Sequence, residues 1–187
     1  DKPKVNVPIV FGNMVLGNIH NLDVSMFLWM MNRKHLALWA RLCRGLSHTA
    51  DGFGYPLLGF IAWFWGGPAG HSLVVTLLLA FAIERPLYTV LKKGLRRNRP
   101  AVALPNYNSF IIPSDQFSFP SGHTSGAFAT ATALAMCFPE TAVFAYLWAA
   151  FVGVSRITLG VHFPTDTLAG ALMGSLITFL TGYWITQ

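Results

Sequence analysis

Residues 155–166 read Ser155-Arg156-Ile157-Thr158-Leu159-Gly160-Val161-His162-Phe163-Pro164-Thr165-Asp166, and they join two long apolar stretches. A carboxylate four residues after a histidine can hold the imidazole in one tautomer and make it a better nucleophile. The arginine six residues before that histidine can neutralise an anion that binds beside it. The segment therefore favours phosphoryl chemistry at a membrane surface, although a polar network that only stabilises the fold is the alternative.

The composition is that of an integral membrane protein. Hydrophobic residues make up 53% of the 187 residues and charged residues only 11%, against about 25% charged residues in an average soluble domain. The formal charge of +6 would suit nucleic acid, but no nucleic-acid-binding motif is visible. Anionic membrane lipids or an anionic lipid substrate are therefore the expected partners. Cys43 and Cys137 lie far apart in apolar segments and are expected to be packing residues.

The apolar stretches predict an all-α, polytopic membrane helix bundle. A span needs about 20 largely apolar residues, and five segments qualify: 47–65, 71–91, 121–138, 141–160 and 164–186. The connections between spans are short, so consecutive spans should run antiparallel. Small residues such as Gly170 and Gly174 would let helices approach closely in lipid. We therefore expect one membrane-embedded core domain over residues 47–187.

Residues 1–46 form a separate segment in this interpretation. Between Leu22 and Cys43 apolar residues alternate irregularly with charged ones. That pattern favours an amphipathic helix lying in the membrane interface over a transmembrane span. No signal peptide is recognisable at the start of the chain. Because the chain opens on Asp1 rather than Met, the sequence leaves open a further N-terminal segment and a sixth span in the full protein.

Alternating spans would bring three polar clusters to one face of the membrane: residues 92–100, 120–123 and 155–166. In the first cluster Lys92 and Arg99 are seven residues apart. This is about two helical turns, so both side chains can bind one phosphate. An ordinary basic rim that binds lipid headgroups is the alternative interpretation of this cluster.

The second cluster is typical of an anion site at a helix N-terminus. Ser121 is a good N-cap residue and Gly122 follows it, so backbone N–H groups would face a bound phosphate. His123 would lie in the first turn, within reach of a leaving-group oxygen. A histidine that only caps the helix is the alternative.

Taken together, the three clusters resemble the three-part signature of the type 2 phosphatidic acid phosphatase (PAP2) superfamily. The matching residues run from Lys92 to Arg99-Pro100, from Pro120 to His123, and from Ser155 to Asp166. The resemblance covers roughly residues 71–186. Because five apolar spans surround the motifs, the chain is similar to the integral-membrane lipid phosphatase branch of that superfamily.

This resemblance implies a role for each matching residue. His162 would attack phosphorus and form a phosphohistidine, with Asp166 holding its other ring nitrogen. His123 would protonate the leaving group and then activate water. The remaining positions would bind the nonbridging oxygens of the phosphate: Lys92, Arg99, Ser121, Gly122 and Arg156. These cations would take the part of a metal ion, so that neither a metal nor another cofactor is expected.

Several polar residues outside the signature also lie near the predicted site. Glu84 and Arg85 are expected to form a buried ion pair within a span. His48 and Asp51 lie near the active-site end of the first span and could contact a headgroup. The stretch 104–119 is long enough to cover the site as a loop, or it is a packed connection.

The predicted function is hydrolysis of a lipid phosphomonoester or diphosphate, such as phosphatidic acid, phosphatidylglycerophosphate or a polyprenyl diphosphate. A phosphotransferase with the same intermediate and a non-catalytic lipid-binding or transport protein are the alternatives. The expected location is a bacterial inner membrane, with the site on the periplasmic or external face. The basic residues lean toward the catalytic side, which the positive-inside rule would place in the cytoplasm. The oligomeric state has no signal in the sequence.

Overall fold

The computed structural model describes residues 14–185, and the predicted all-α bundle is confirmed for that part of the chain. Its helices are α1 (Met14–Met31), α2 (Leu36–His48), α3 (Gly54–Trp65), α4 (Gly67–Leu95), α5 (Pro100–Ala103), α6 (Gly122–Cys137), α7 (Ala142–Thr158) and α8 (Pro164–Ile185). A 3-10 turn at Pro139–Thr141 leads into α7.

Three helical segments within residues 14–185 are long and apolar enough to cross a membrane: Gly67–Leu95, Pro139–Thr158 and Pro164–Ile185. The shortest of them has 20 residues, which is about 30 Å of helix and matches the hydrocarbon thickness of a bilayer. These segments correspond to three of the five predicted spans. The predicted span 121–138 is the 16-residue α6, a helix of about 24 Å.

The predicted span 47–65 is not one continuous helix. α2 ends at His48 and α3 begins at Gly54, with Asp51 and Gly52 in the turn between them. Gly52 has a positive φ of 22°, and Asp-Gly pairs favour turns because both residues tolerate such backbone angles. This break leaves Asp51 at the predicted catalytic end of the bundle, where Lys92, His123 and His162 lie.

α6 is the centre of the bundle, packed against α4, α7 and α8. The prediction that small residues allow close helix approach is confirmed. A Cβ atom at Gly170 would lie 2.5 Å from the carbonyl oxygen of Ser121, and one at Gly174 would lie 2.1 Å from that of Ser125. Both distances are far below van der Waals contact, so these positions of α8 accept only glycine at the observed spacing.

The N-terminal segment contains two helices where one interfacial helix was predicted. The helical conformation is interrupted between α1 and α2, where His35 has a φ of 63°. α1 buries Phe27 edge-on against Phe163, with ring centroids 5.4 Å apart. It therefore packs on the catalytic end of the bundle. Its interfacial position in a membrane stays a prediction, as does the domain boundary at residue 46, which falls within α2.

Residues 104–119, the loop between α5 and α6, pack over the same end. The backbone N–H of Phe110 donates to the carbonyl of Leu159 at 3.0 Å, and Arg44 of α2 donates to the carbonyl of Phe110 at 2.6 Å. Tyr107 packs edge-on against Phe27. The two interpretations of this stretch therefore combine, because it is a packed connection that also lies over the site.

Candidate active site

One cavity of about 450 Å³ opens at the end of the bundle where α4 and α7 finish and α6 begins. Helix alternation explains this convergence, since antiparallel neighbours return the chain to the same end. Six of the eight predicted site residues line the cavity: Lys92, Arg99, Gly122, His123, Arg156 and His162. Ser121 and Asp166 lie behind its wall, and both are fully buried.

His162 lies in the short junction between α7 and α8. Gly160, with a φ of 77°, provides the left-handed turn that reverses the chain before it. The side chain of His162 is only 2% exposed, and its Nδ1 lies 3.6 Å from Oδ2 of Asp166. Burial, the largest effect, lowers the pKa of His162 to about 4 although Asp166 acts in the opposite direction. The imidazole is therefore neutral at neutral pH, as a nucleophile must be.

The other ring nitrogen of His162, Nε2, lies 3.4 Å from Nη1 of Arg99. That guanidinium nitrogen also donates to the carbonyl oxygen of Val161 at 2.6 Å. Arg99 carries only donors, so it faces the lone pair of a neutral imidazole. With Asp166 on the Nδ1 side, Nε2 is the nitrogen available for attack on phosphorus.

Asp166 is held by its own network. Its Oδ2 accepts from the backbone N–H of Phe163 at 2.8 Å, and its Oδ1 accepts from Arg97 at 2.7 Å. Arg97 also donates to the fully buried Asp23 of α1. Asp23 in turn accepts from the backbone N–H of Thr165, at 3.0 Å. Arg97 therefore connects Asp166, the carboxylate beside the predicted nucleophile, to α1.

Lys92 and Arg99 bind a carboxylate that the sequence interpretation did not single out. The side chain of Asp115, in the loop 104–119, accepts from Lys92 at 2.8 Å and from Arg99. Burial acts to raise the pKa of Asp115, but the hydrogen bonds from Lys92 and Arg99 outweigh it and hold the pKa at about 2. A single acidic residue in a loop carries no sequence signal for this contact.

Arg156 reaches the cavity from α7. Its Nη1 donates to the hydroxyl of Ser47 at 2.7 Å. Its Nε is buried and has no hydrogen-bond partner among the residues that the structure describes. A buried donor without a partner is costly, so this nitrogen is suited to an oxygen of an incoming anion.

The start of α6 forms another part of the wall. Ser121 is the N-cap residue as predicted, but its hydroxyl pairs with that of Thr124 at 2.9 Å and makes no hydrogen bond to a backbone N–H. A Cβ atom at Gly122 would lie 2.9 Å from the ring of Tyr88, which leaves no room for a side chain. The backbone of Gly122 therefore lines the cavity directly.

His123 has a carboxylate partner of its own. Its Nε2 lies 2.7 Å from Oδ1 of Asp51, while Oδ2 of Asp51 lies 2.5 Å from Nδ1 of the exposed His48. The sequence interpretation considered Asp51 and His48 only as headgroup contacts. The turn between α2 and α3 gives Asp51 a different position, beside the predicted acid.

Glu84 and Arg85 form the predicted ion pair, but only Glu84 is buried, since the side chain of Arg85 is 47% exposed. Glu84 is fully buried and accepts from Arg85 and from Ser125 of α6, both at 2.5 Å. The hydrogen bond from Ser125 to Glu84 connects α4 to α6, and Arg85 lines the cavity. Each hydrogen bond to Glu84 satisfies a charge that would otherwise be costly to bury.

Comparisons with known proteins show the family of this chain. A sequence profile of the PAP2 superfamily matches residues 69–187. Phosphatidylglycerophosphatase B of Bacillus subtilis is 36% identical over 150 residues, which are 73% of this chain and 70% of that protein. Lipid A 1-phosphatase of Rhizobium johnstonii is 28% identical over 159 residues, 73% of this chain and 65% of that protein. The crystal structure of Aquifex aeolicus LpxE matches with a TM-score of 0.75 at 30% identity, covering 94% of this chain and 98% of that one.

A helical membrane bundle whose cavity gathers two histidines and four cations at one end, three of them predicted site residues, defines the class of integral-membrane phosphatases. The chain belongs to the PAP2 superfamily, and it is a phosphatase of the PAP2 class. The roles of the eight site residues within that class stay predictions.

Proposed function

We propose that this protein hydrolyses a lipid phosphomonoester or lipid diphosphate through a phosphohistidine on His162. The observation that carries the proposal is the convergence of a neutral imidazole with three cations in one cavity. The neutral His162 supplies the electron pair. Lys92, Arg99 and Arg156 supply the positive charge that the transferring phosphoryl group needs.

The reaction has two steps in this proposal. First, Nε2 of His162 forms a bond to phosphorus while the bond to the leaving oxygen breaks, and His123 gives that oxygen a proton. Asp166 offsets the positive charge that develops on the imidazole of His162. Second, water gives a proton to His123 and attacks phosphorus, the P–N bond breaks, and inorganic phosphate leaves. His123 ends each cycle protonated again.

An apolar cleft supports a lipid as the substrate. A second cavity of about 440 Å³ lies between α3 and α4 and is lined almost entirely by apolar side chains, among them Phe60 and Leu78. It shares Tyr55, Pro56 and Phe81 with the catalytic cavity. An acyl or prenyl chain in this cleft would carry its phosphate directly to His162, since the two cavities adjoin.

The names of the relatives support the same class of substrate. One is a phosphatidylglycerophosphatase and another a lipid A 1-phosphatase, and each of these names denotes removal of phosphate from a lipid. We include phosphatidic acid and polyprenyl diphosphates in the proposed range. Besides Arg85, which pairs with Glu84, the cavity is lined by three cations, Lys92, Arg99 and Arg156, which is enough charge for either a monoester or a diphosphate.

We further propose a bacterial inner membrane as the location, with the site on the external face. The two relatives named above come from bacteria. The basic residues that argue for a cytoplasmic site are in part engaged within the protein. Arg97 pairs with Asp23 and Asp166, and Arg85 pairs with Glu84. The positions of these two arginines are explained by ion pairs within the protein, and those of Lys92, Arg99 and Arg156 by the proposed binding of phosphate. These five cations therefore do not count as evidence for a cytoplasmic site under the positive-inside rule.

The test is phosphate release by the purified protein in neutral detergent from three substrates: phosphatidic acid, phosphatidylglycerophosphate and a polyprenyl diphosphate. We expect turnover of at least one, and a loss of roughly 10³-fold or more for His162→Ala. His71→Ala is the matched control, because His71 lies at the opposite end of α4 and contacts the carbonyl of Trp63. Undiminished turnover by His162→Ala would contradict the proposal. Phosphate release that requires an added lipid acceptor would identify a phosphotransferase.

A further inference from the structure

Asp115 occupies the position in which Lys92 and Arg99 are proposed to hold phosphate. Four donors converge on this residue. Its Oδ2 accepts from Lys92 at 2.8 Å and from the hydroxyl of Tyr88 at 2.9 Å. Its Oδ1 accepts from Nη2 of Arg99, and its backbone carbonyl accepts from Nε of Arg99 at 3.0 Å. This is a complete anion site filled by a carboxylate of the chain itself.

The two sides of this contact differ in exposure. The side chains of Lys92 and Arg99 are 8% and 5% exposed, whereas that of Asp115 is 36% exposed. The cations therefore belong to the wall of the cavity, and Asp115 reaches them from its open side. Asp115 also lines the same cavity as His162 and Arg156. An anion that binds beside His162 through Lys92 and Nη2 of Arg99 takes these donors from Asp115.

The charge of the ligand decides how well it competes. Phosphodiester headgroups of bulk phospholipids carry one negative charge on phosphate, as Asp115 does. A phosphomonoester has a second pKa near 6 and carries between one and a half and two charges at pH 7, by analogy with phosphorylated side chains. A monoanion that displaces Asp115 brings the same single negative charge to Lys92 and Arg99 and therefore gains no electrostatic energy over the carboxylate. A dianion adds a further attraction to Lys92, to Arg99 and to Nε of Arg156, which has no hydrogen-bond partner within residues 14–185.

We propose that Asp115 is a tethered competitor for the phosphate site, which keeps the site free of weakly bound monoanionic phosphodiester lipids and yields to phosphomonoesters and diphosphates. The inference rests on the proposed function, because it assumes that Lys92 and Arg99 bind the substrate phosphate. Asp115 weakens every incoming anion by the same factor. The apparent Kd of a weakly bound diester then rises above the concentration of that lipid in the membrane, while the Kd of a dianion stays below its own concentration.

The first test uses Asp115→Asn, which keeps the size of the side chain and removes its charge. In neutral detergent micelles we expect a KM for phosphatidic acid about tenfold lower than that of the wild type, since the competitor is gone. As the mole fraction of phosphatidylglycerol in the micelles rises, the apparent KM of the variant should rise steeply and that of the wild type should change little. Equal inhibition of both proteins by phosphatidylglycerol would overturn the proposal.

Two controls separate charge from structure. Asp115→Glu keeps the carboxylate and should behave like the wild type. Glu140→Gln removes one carboxylate from the turn before α7, at the other end of the bundle. It should leave the KM for phosphatidic acid unchanged, both with and without phosphatidylglycerol in the micelles.

A second measurement does not depend on turnover. Isothermal titration with inorganic phosphate should show about tenfold tighter binding to Asp115→Asn than to the wild type. Equal or weaker binding by the variant would contradict competition by Asp115. If instead no lipid is hydrolysed by the wild type, the proposed function fails, while this titration still reports whether Asp115 and phosphate share one site.

Discussion

Each of the two predicted catalytic histidines has a different carboxylate as its partner. Asp166 lies behind His162, four residues further along the same junction. Asp51 comes from the turn between α2 and α3 and lies 2.7 Å from Nε2 of His123. A carboxylate beside an imidazole stabilises the protonated ring and fixes its orientation. Asp51 is therefore placed to position His123 as a general acid, with the proton for the leaving group on Nδ1.

Asp51→Asn should lower kcat for a lipid phosphomonoester by about 10- to 100-fold, the usual contribution of a positioned general acid being 10² or more. The alkoxide leaving group of a lipid needs that proton, whereas p-nitrophenolate leaves without one. We therefore expect a much smaller loss with p-nitrophenyl phosphate. The measurement is kcat for both substrates.

The control for this variant is His48→Ala, which removes the exposed contact of Asp51 and leaves its contact with His123. It should change kcat by less than about threefold, as expected for an exposed pair. Equal losses on both substrates for Asp51→Asn would contradict a role of Asp51 in protonation of the leaving group.

At the level of residues, spacing along the chain predicted part of what lies within one motif. The interval between His162 and Asp166 places a carboxylate behind the imidazole. Lys92 and Arg99 both reach the cavity wall, but the predicted spacing of two helical turns is wrong, because α4 ends at Leu95 and Arg99 precedes α5. Spacing could not predict partners that come from separate elements. Asp115, Asp51 and Arg97 have no motif, because their contacts arise only when a loop, a turn and a helix end meet at the catalytic end of the bundle.

Among the secondary-structure elements, α1 has an unexpected part in the site. Asp23 accepts from the backbone N–H of Thr165, in the first turn of α8, and from Arg97. It thus acts as a cap for α8 from another helix, since the first N–H groups of a helix lack intrahelical partners. α1 therefore fixes the turn that carries His162 and Asp166.

Asp23→Asn should lower kcat about tenfold with little change in KM, because a small displacement of Asp166 affects the chemical step more than phosphate binding. Steady-state kinetics with the best lipid substrate would measure both constants. Ser25→Ala is the matched control, since Ser25 is an exposed residue of the same helix. An unchanged kcat for Asp23→Asn, or the same loss for both variants, would contradict a positioning role for α1.

The lengths of the apolar segments in the sequence predicted the long helices well and the interrupted helices poorly. α4, α7 and α8 match predicted spans because a long apolar run in an antiparallel bundle has few other solutions. The region 47–65 reads as one apolar run, yet the turn at Asp51 and Gly52 divides it. In the N-terminal segment His35 adopts a left-handed φ, which divides one predicted helix into two. Hydropathy averages over such single-residue breaks.

At the scale of the whole molecule, the proposed site for the lipid chain and the proposed site of phosphoryl transfer are two different cavities. The apolar cleft between α3 and α4 adjoins the charged cavity through Tyr55, Pro56 and Phe81. A lipid can therefore present its phosphate to His162 while its chain stays among apolar side chains. The sequence predicted the all-α bundle and the single catalytic end. The cleft could not be predicted, since it depends on how α3 packs against α4.

The most direct measurement is trapping of the covalent intermediate. His123→Ala, which lacks the group proposed to activate water, is mixed with p-nitrophenyl phosphate, quenched in alkali to preserve phosphohistidine, and digested for mass spectrometry. We predict one phosphoryl group on the peptide that contains His162, and none when His162→Ala is added to the same protein. A phosphoryl group on any other residue, or turnover by His162→Ala at the wild-type rate, would contradict nucleophilic attack by His162.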